Sequence, residues 1–269
     1  MSIDIKTMKV EPKRQTFAHI ARRFGVDKPA SRYEEGTYDV QATHHFHYKP
    51  LWDAERWVYD ERRTAVVMAD WYSLRDPRQY YYATYNIARA NQYQATERNF
   101  GFVEKNNMLA LISGEWRGKL EQYLIPLRHV AWGANMNATQ MCTMGYGTAV
   151  TAPCIFTAGD QLAMAQVISR IGLLFDGSSG VSLDKGKALW MTAGEWQGIR
   201  RMVEDSLVIE DWFEMFVAQN LVMDGIEYPL VYGRFDAEGQ RQGATGLSLL
   251  TEFMSDWFTE HSRWVDAVI

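Results

Sequence analysis

Three histidines, His44, His45 and His47, lie within residues 43–47 and form the densest group of possible metal ligands in the chain. Their spacings of one and two residues do not place all three on one face of a helix. No cysteine or acidic residue lies close to them to complete a tetrahedral site. The pattern favours a surface loop over a metal centre, although a loop could still bind a metal.

Two carboxylates, Glu210 and Glu214, are four residues apart and so share one face of a helix, beside Trp212, Phe213 and Phe216. Paired carboxylates on helices are what a diiron bundle uses. Such a bundle also needs a Glu-x-x-His step on each of two helices and a lone Glu on each of two others. No Glu in this chain has a His three residues later. We therefore interpret Glu210 and Glu214 as solvated or interface charges.

His261 lies within the apolar stripe of the last stretch, Leu250 to Ile269. The stripe recurs at steps of three and four residues, as on one face of a helix: Leu250, Phe253, Met254, Trp257, Phe258, His261, Trp264, Val265 and Val268. An imidazole on such a face is a metal ligand, an acid or base, or a core histidine with a hydrogen-bond partner. The last of these is favoured.

Other catalytic signals are absent from the sequence. The run Gly145-Tyr146-Gly147 lacks the third glycine and the preceding strand of a dinucleotide fingerprint. Cys142 and Cys154 form no CxxC pair, and their apolar surroundings are typical of inert buried thiols. No GxSxG nucleophile elbow occurs. The motifs therefore predict no catalytic, cofactor-binding or metal-binding residue in this chain.

The composition describes a chain with ample material for a large core. Of 269 residues, 47% are hydrophobic and 13% aromatic, and ten are Trp. The net charge of −5 and the pI of about 5.7 argue against nucleic-acid binding. There is no signal-like apolar run and no stretch long enough for a membrane span. With only two cysteines, the expected location is the cytoplasm.

Two regions are expected, an N-terminal arm at 1–50 and a helical domain at 51–269. The arm has three prolines and no sustained period, so we expect an extended segment that packs on another surface, such as that of a partner subunit; a disordered leader is the alternative. The aromatic residues expected to be buried there are Phe17, Phe24, Tyr33, Tyr38, Phe46 and Tyr48.

The rest is predicted to be all-α and built from long helices. The helical signal begins at Leu51, and Asp76 before Pro77 has the form of a helix start. Further expected helices are 120–134, 151–175 with a stop at 177–180, a short helical connection at 181–203 containing Trp190 and Trp196, 203–221, and a last helix from about Thr245. Pro229 and Gly233 are expected to break the pattern before that last helix.

Several separated motifs resemble one family. They are 74–82 (LRDPRQYYY) with 84–86 (TYN), 125–129 (IPLRH), 219–222 (QNLV) and 261–264 (HSRW). From about Asp53 to the last residue the chain is similar to the β subunits of bacterial multicomponent monooxygenase hydroxylases. The resemblance is strongest to the phenol hydroxylase branch, and the toluene/o-xylene type is the alternative.

The resemblance implies a ferritin-like helical bundle without the diiron centre of the catalytic α subunit. It implies an α2β2γ2 assembly in which this chain contacts α and γ subunits and a second β subunit. A reductase with FAD and an iron–sulfur cluster would supply electrons from NADH, and a small regulatory protein would dock on the hydroxylase. The implied overall reaction is phenol to catechol, and the preferred aromatic substrate stays open.

The same resemblance implies which positions of this chain correspond to metal ligands of the catalytic subunits. Gly159 and Leu162 stand where the catalytic subunits carry a Glu-x-x-His step, and on the last helix Phe258 replaces the Glu while His261 remains in the His position. His261 is thus expected to be a vestige of a metal site. Family members continue beyond the position of Ile269, so we expect a chain truncated inside its last helix.

Two further hypotheses remain open on the residues alone. One is a self-contained diiron oxidase that uses atypical ligands such as Glu210, Glu214 and His261. The other is a helical interaction protein whose Trp-rich surfaces are binding faces.

Overall fold

The computed structural model describes residues 17–40 and 49–269, and every regular element in these ranges is helical. The all-α prediction is confirmed. His44, His45 and His47, together with Phe46 and Tyr48, lie outside the described residues.

The described part of the N-terminal region forms two short helices, α1 (Ala18–Phe24) and α2 (Arg32–Thr37). Ser31 and Glu34 form a capping box at the start of α2. Tyr33 and Tyr38 are buried, with Ile20, in a small cluster of this chain's own residues. The Tyr33 hydroxyl accepts a hydrogen bond from the Asp76 backbone N–H at 2.7 Å. Contact between this arm and a partner subunit stays a prediction.

Residues 51–76 are largely non-helical, so the helical signal expected from Leu51 was wrong. Only two single turns of 3₁₀ helix form there, Glu61–Arg63 and Trp71–Ser73. The cause is local: Asp53, Asp60 and Asp70 each accept hydrogen bonds from backbone N–H groups two or three residues away. Such side-chain bonds compete with the helical ladder and favour turns.

The helix start predicted at Asp76 and Pro77 was also wrong, because helix α3 (Tyr82–Lys105) begins later, at Tyr82. The Asp76 side chain is fully buried and accepts from the Arg78 backbone N–H at 2.9 Å and from the Arg78 guanidinium. It therefore closes a turn. The positive φ of Gln79, 51°, ends that turn before the helix starts.

The central helices are α4 (Gly114–Tyr123), α5 (Leu127–Met144), α6 (Thr148–Phe175), α7 (Val181–Thr192) and α8 (Gly194–Ser206). The predicted helix 120–134 is split, because Pro126 starts α5 and cannot continue α4. Helix α6 matches the prediction closely and stops at Gly177 and Gly180, which have φ of 64° and 83°. The predicted connection 181–203 is two helices.

The next helical run alternates α and π geometry: α9 (Trp212–Phe216), a first π segment (Val217–Met223), α10 (Asp224–Tyr228), a second π segment (Pro229–Phe235) and α11 (Asp236–Arg241). It starts later than predicted, capped by Asp211. The predicted break at Pro229 was wrong, since the run continues through it. In an α-helix, a proline leaves the carbonyl four residues earlier without its N–H donor. In a π turn, each carbonyl instead accepts from the N–H five residues later, so the proline can be accommodated.

The last helix, α12 (Thr245–Val268), begins where the sequence predicted. Its apolar stripe faces the core: Leu250, Met254, Trp257, His261, Trp264 and Val265 are buried. One large core lies between α4–α8 and α12, and a second, smaller one lies where α5, α6, α9 and the end of α12 meet.

Candidate functional site

Polar side chains from several helices meet in the interior of the bundle. Asn137 on α5 donates from Nδ2 to Gln219 Oε1 at 2.9 Å and to Ser206 Oγ at 2.8 Å. Gln219 in turn donates from Nε2 to Asp224 Oδ1 at 2.8 Å. All four residues are buried. We call Asn137, Ser206, Gln219 and Asp224 the interior amide network.

Asp224 is the carboxyl group of this network, and it is 1% exposed. Burial raises its pKa to about 8, and the bond from Gln219 only partly offsets that. The carboxyl is therefore protonated at neutral pH. A neutral acid costs less to bury than an ionised one, whereas bridging two cations requires ionised carboxylates.

His261 lies beside this network and has the hydrogen-bond partner that the sequence could not identify. Its Nε2 is 2.9 Å from Asn220 Oδ1. The Asn220 amide is oriented by its own Nδ2, which donates to the Phe216 carbonyl at 3.2 Å, so the oxygen faces the imidazole and Nε2 carries the proton. The ring also stacks on Trp257, with centroids 4.2 Å apart and planes at 15°.

The His261 imidazole is neutral in the folded protein. Burial lowers its pKa well below the usual value, and the positive charges of Arg78 and Arg89 lower it further. Its second nitrogen, Nδ1, is buried and makes no hydrogen bond to any described residue. His261 is therefore held by one hydrogen bond and by ring stacking.

A second polar group, the arginine network, joins α3, α6 and α12. Arg89 binds Asp160 through Nε to Oδ1 at 2.7 Å and Nη2 to Oδ2 at 2.8 Å, and it binds Glu260 at 3.0 Å. The Trp257 indole N–H and the Tyr85 hydroxyl also donate to Asp160, at 2.8 and 2.9 Å. Burial alone would lower the pKa of Arg89, but the bonds and charges of Asp160 and Glu260 raise it overall.

Apolar periodicity did not identify this network, although the sequence carries one signal for it. Asp160 is the only acidic residue of α6. A lone carboxylate in an apolar helix must find a cationic partner when the helix is buried. The pattern could not reveal that the partner is Arg89, because the two residues are 71 positions apart.

The structure does not bring the predicted site residues together. Glu210 and Glu214 are exposed, whereas His261 is fully buried. Gly159 and Leu162 lie on the exposed side of α6, and the buried residues of the same turn are Asp160 and Gln161. Phe258 is partly buried and stacks on Tyr228 at 5.1 Å. The equivalence of these positions with former ligands stays a prediction.

The donor set in the bundle interior does not fit a carboxylate-bridged diiron centre, which takes carboxylates from four helices and two histidines. The interior amide network offers amides and one protonated acid, and His261 is already bonded to Asn220. Across residues 17–40 and 49–269, no three His, Cys, Asp or Glu side chains are grouped so that they could hold a metal ion.

The two thiols are poorly placed for chemistry. Cys154 is fully buried and Cys142 is half-buried, and burial raises the pKa of both. No helix in the described part of the chain is long and apolar enough to cross a bilayer.

Comparison with known proteins gives consistent matches. The family model for methane/phenol/alkene hydroxylases matches residues 52–269. The oxygenase component DmpL of phenol 2-monooxygenase from Pseudomonas sp. (strain CF600) is 50% identical over 268 residues, which cover 100% of this chain and 81% of that protein. The hydroxylase subunit beta of the toluene-4-monooxygenase system from Ectopseudomonas mendocina is 24% identical over 79% of this chain and 66% of its own length.

A solved structure agrees with these matches. The crystal structure of xenon-pressurized phenol hydroxylase from Pseudomonas sp. OX1 superposes with a TM-score of 0.90 at 48% identity, over 98% of this chain and 80% of the matched chain. The helical bundle, the matched family model and these relatives all lead to one assignment. This chain belongs to the methane/phenol/alkene hydroxylase family and has the ferritin-like fold of its hydroxylase subunits.

Proposed function

We propose that this chain is the non-catalytic β subunit of a phenol hydroxylase, and that it supports a diiron α subunit which oxidises phenol to catechol. The relatives named phenol 2-monooxygenase and phenol hydroxylase support the substrate class. The subunit named beta in the toluene-4-monooxygenase system supports the subunit type. The chain itself has no active centre in this proposal, and the irons belong to the α subunit.

One observation carries the non-catalytic role: the bundle interior is occupied by hydrogen-bonded amides and a protonated acid. Asn137 donates to Gln219, Gln219 donates to Asp224, and His261 is bonded to Asn220. Asn137 Oδ1 and Asp224 Oδ2 are buried without a partner among the described residues. Groups with this arrangement stabilise and orient the helices. The interior amide network offers one carboxyl group, whereas a carboxylate-bridged diiron centre takes carboxylates from four helices.

The outer faces of α5 and α6 support a role in assembly. Trp132 and Met136 on α5, and Ile155 and Leu162 on α6, are large apolar side chains that are 52%, 43%, 46% and 36% exposed. Aromatic and Met side chains are enriched in subunit interfaces, whereas Lys, Glu and Asp are depleted there. These side chains suit contact with another subunit.

The proposed assembly is α2β2γ2 and cytoplasmic. In it, a second β subunit and the α and γ subunits contact this chain. A reductase carrying FAD and an iron–sulfur cluster passes electrons from NADH to the α subunit, and a small regulatory protein acts on the complex. This chain supplies rigidity: the arginine network fixes α3, α6 and α12 against one another.

Co-expression tests the subunit role. The α and γ subunits would be expressed with this chain, without it, and with a Trp132→Glu, Leu162→Glu variant of it. Sizing and phenol turnover with the reductase and NADH would then be measured. We expect a full hydroxylase with this chain and loss of assembly without it. A Val181→Glu variant, changed on the exposed side of α7, is the control. Full-sized, active hydroxylase without this chain would contradict the proposal.

A further inference from the structure

An apolar cavity of about 440 Å³, open to solvent beside Met202 and Leu230, which are 47% and 54% exposed, lies between α8 and the helical run that contains the two π segments. Its walls include Trp196 and Met202 from α8, Met223 from the first π segment, and Leu230 and Phe235 from the second. A volume of this size falls in the range of small-molecule sites, roughly 300–1,000 Å³. Aromatic rings and thioethers on the walls favour an aromatic guest.

The aromatic walls are held in place by other contacts. The Trp196 indole N–H donates to the Gln122 carbonyl at 3.1 Å, and Phe235 stacks on Trp116 with centroids 4.8 Å apart. The rings are therefore positioned before any guest arrives, which limits the entropy lost on binding.

Glu227 is the single carboxyl group that lines the cavity. Its side chain is partly exposed, and among the described residues no group donates a hydrogen bond to it or forms an ion pair with it. Burial raises its pKa to about 8, and the nearby Asp224 adds to the shift. A protonated carboxyl offers one hydrogen-bond donor and one acceptor to a guest.

The backbone around Glu227 is irregular. Met223 ends the first π segment and Pro229 begins the second, so Glu227 lies on a short α-helical piece, α10, between two widened turns. Widened π turns occur frequently at functional sites. Here they flank the short helix that places the Glu227 carboxyl on the wall of the cavity.

We propose that this cavity binds a neutral monocyclic aromatic alcohol of the phenol class, with the ring between Trp196 and Phe235 and the hydroxyl on the Glu227 carboxyl. A charged guest is excluded by the cost of desolvation in apolar walls. A guest without a hydroxyl makes no hydrogen bond with the acid. The site is separate from the proposed reaction and does not depend on the subunit role.

The location test is crystallographic. Crystals of the full chain, with any subunits that co-purify, are soaked in 4-bromophenol or in bromobenzene, and the bromine is located by anomalous scattering. We expect a peak in the cavity with 4-bromophenol and a weaker one with bromobenzene. Equal peaks for the two compounds, no peak, or a partner side chain that fills the cavity would overturn the proposal.

The solution test uses calorimetric titration with 4-bromophenol on matched variants. Because one net hydrogen bond is lost, Glu227→Leu weakens this binding event by up to about tenfold. Glu227→Gln retains it, since an amide also has a donor and an acceptor. Glu214→Leu, an exposed change, is the control. Thermal unfolding checks that each variant folds. Equal affinities for the Leu and Gln variants, or binding at crystal concentration only, would refute the assignment.

Discussion

Arg89 and Asp160 form a two-point ion pair across the contact between α3 and α6, with N–O distances of 2.7 and 2.8 Å. Both side chains are nearly buried, at 12% and 4% exposure. The same carboxylate accepts the Trp257 indole N–H of α12 at 2.8 Å. A single carboxyl group therefore joins the three longest helices of the fold, which have 24, 28 and 24 residues.

Removing that carboxylate charge should destabilise the bundle. Asp160→Asn keeps the size of the side chain but leaves the Arg89 guanidinium with Glu260 as its only anionic partner among the described residues. Breaking a buried pair from one side costs about 3 kcal/mol, because the remaining charge is poorly compensated. We expect a loss of that order in the free energy of unfolding, measured by denaturant titration. Asp266→Asn, an exposed change on α12, is the control, and equal effects in the two variants would contradict the expectation.

The neutral imidazole of His261 predicts a pH effect on stability. Its folded pKa lies well below the unfolded value of about 6.5, so in acid the unfolded chain binds a proton that the folded chain does not. The stabilisation is complete above that value and falls as the pH falls, at about 1.4 kcal/mol per pH unit.

The measurement is denaturant unfolding of wild type and His261→Gln from pH 7 to pH 5. We expect the variant to gain stability relative to wild type as the pH falls below about 6.5, at the same slope, because Gln does not titrate. A difference between the two proteins that stays constant across this range would show that His261 has the same pKa in the folded and the unfolded chain, and would contradict the expectation.

Asp224 predicts the opposite trend. Its folded pKa of about 8 lies above the ordinary value of 3.8, so between these limits the folded chain binds the extra proton. The stabilisation from the protonated form is lost progressively as the pH rises from about 3.8 to about 8. Asp224→Asn can still accept the bond from Gln219 and does not ionise. Its stability relative to wild type should rise by about 1.4 kcal/mol per pH unit between pH 5 and pH 8.

Thermal and denaturant unfolding at pH 5, 6.5 and 8 would measure this effect. Asp236→Asn, on the partly buried surface of α11, serves as the control substitution. If Asp224→Asn is less stable than wild type by the same amount at all three pH values, the carboxyl is ionised in the fold and the interior amide network has been assigned wrongly.

The bundle, its order of helices and the buried stripe of α12 could be predicted, because they follow from apolar periodicity. Residues 51–76 could not, since Asp53, Asp60 and Asp70 form turns by short side-chain bonds that periodicity does not register. Pro229 misled the prediction because π geometry tolerates a residue that breaks an α-helix.

For the site, the sequence indicated that His261 is buried in the core. It could not identify Asn220, which is 41 residues away, or the pairing of Arg89 with Asp160. Such contacts depend on how the helices pack, and the spacing within one helix carries no information about them. Asn137 and Gln219 were missed for the same reason, since amides occur in many helices without any role in the core.

The surroundings of Gly133 and Gly198 predict opposite effects on stability when each glycine is replaced by alanine. A Cβ at Gly133 on α5 would lie 2.4 Å from Val203 Cγ1 on α8, so Gly133→Ala overpacks this contact at a cost of about 1–3 kcal/mol. Gly198 on α8 has open space at that position. Gly198→Ala should stabilise the protein by about 0.5–1 kcal/mol, because Ala favours helix. Denaturant unfolding of both variants measures these changes in stability. A Gly133→Ala variant that is more stable than wild type would show that α5 and α8 pack less closely than in this structure.

The central claim is that this chain is a scaffold without a metal centre. The iron content of the assembly tests this claim most directly. The measurement is the iron content of the purified hydroxylase assembly with wild-type chain and with a His261→Gln, Asp224→Asn variant. The account predicts equal iron per assembly in both, with a change only in stability. Loss of iron in the variant, in an assembly of unchanged size, would contradict it.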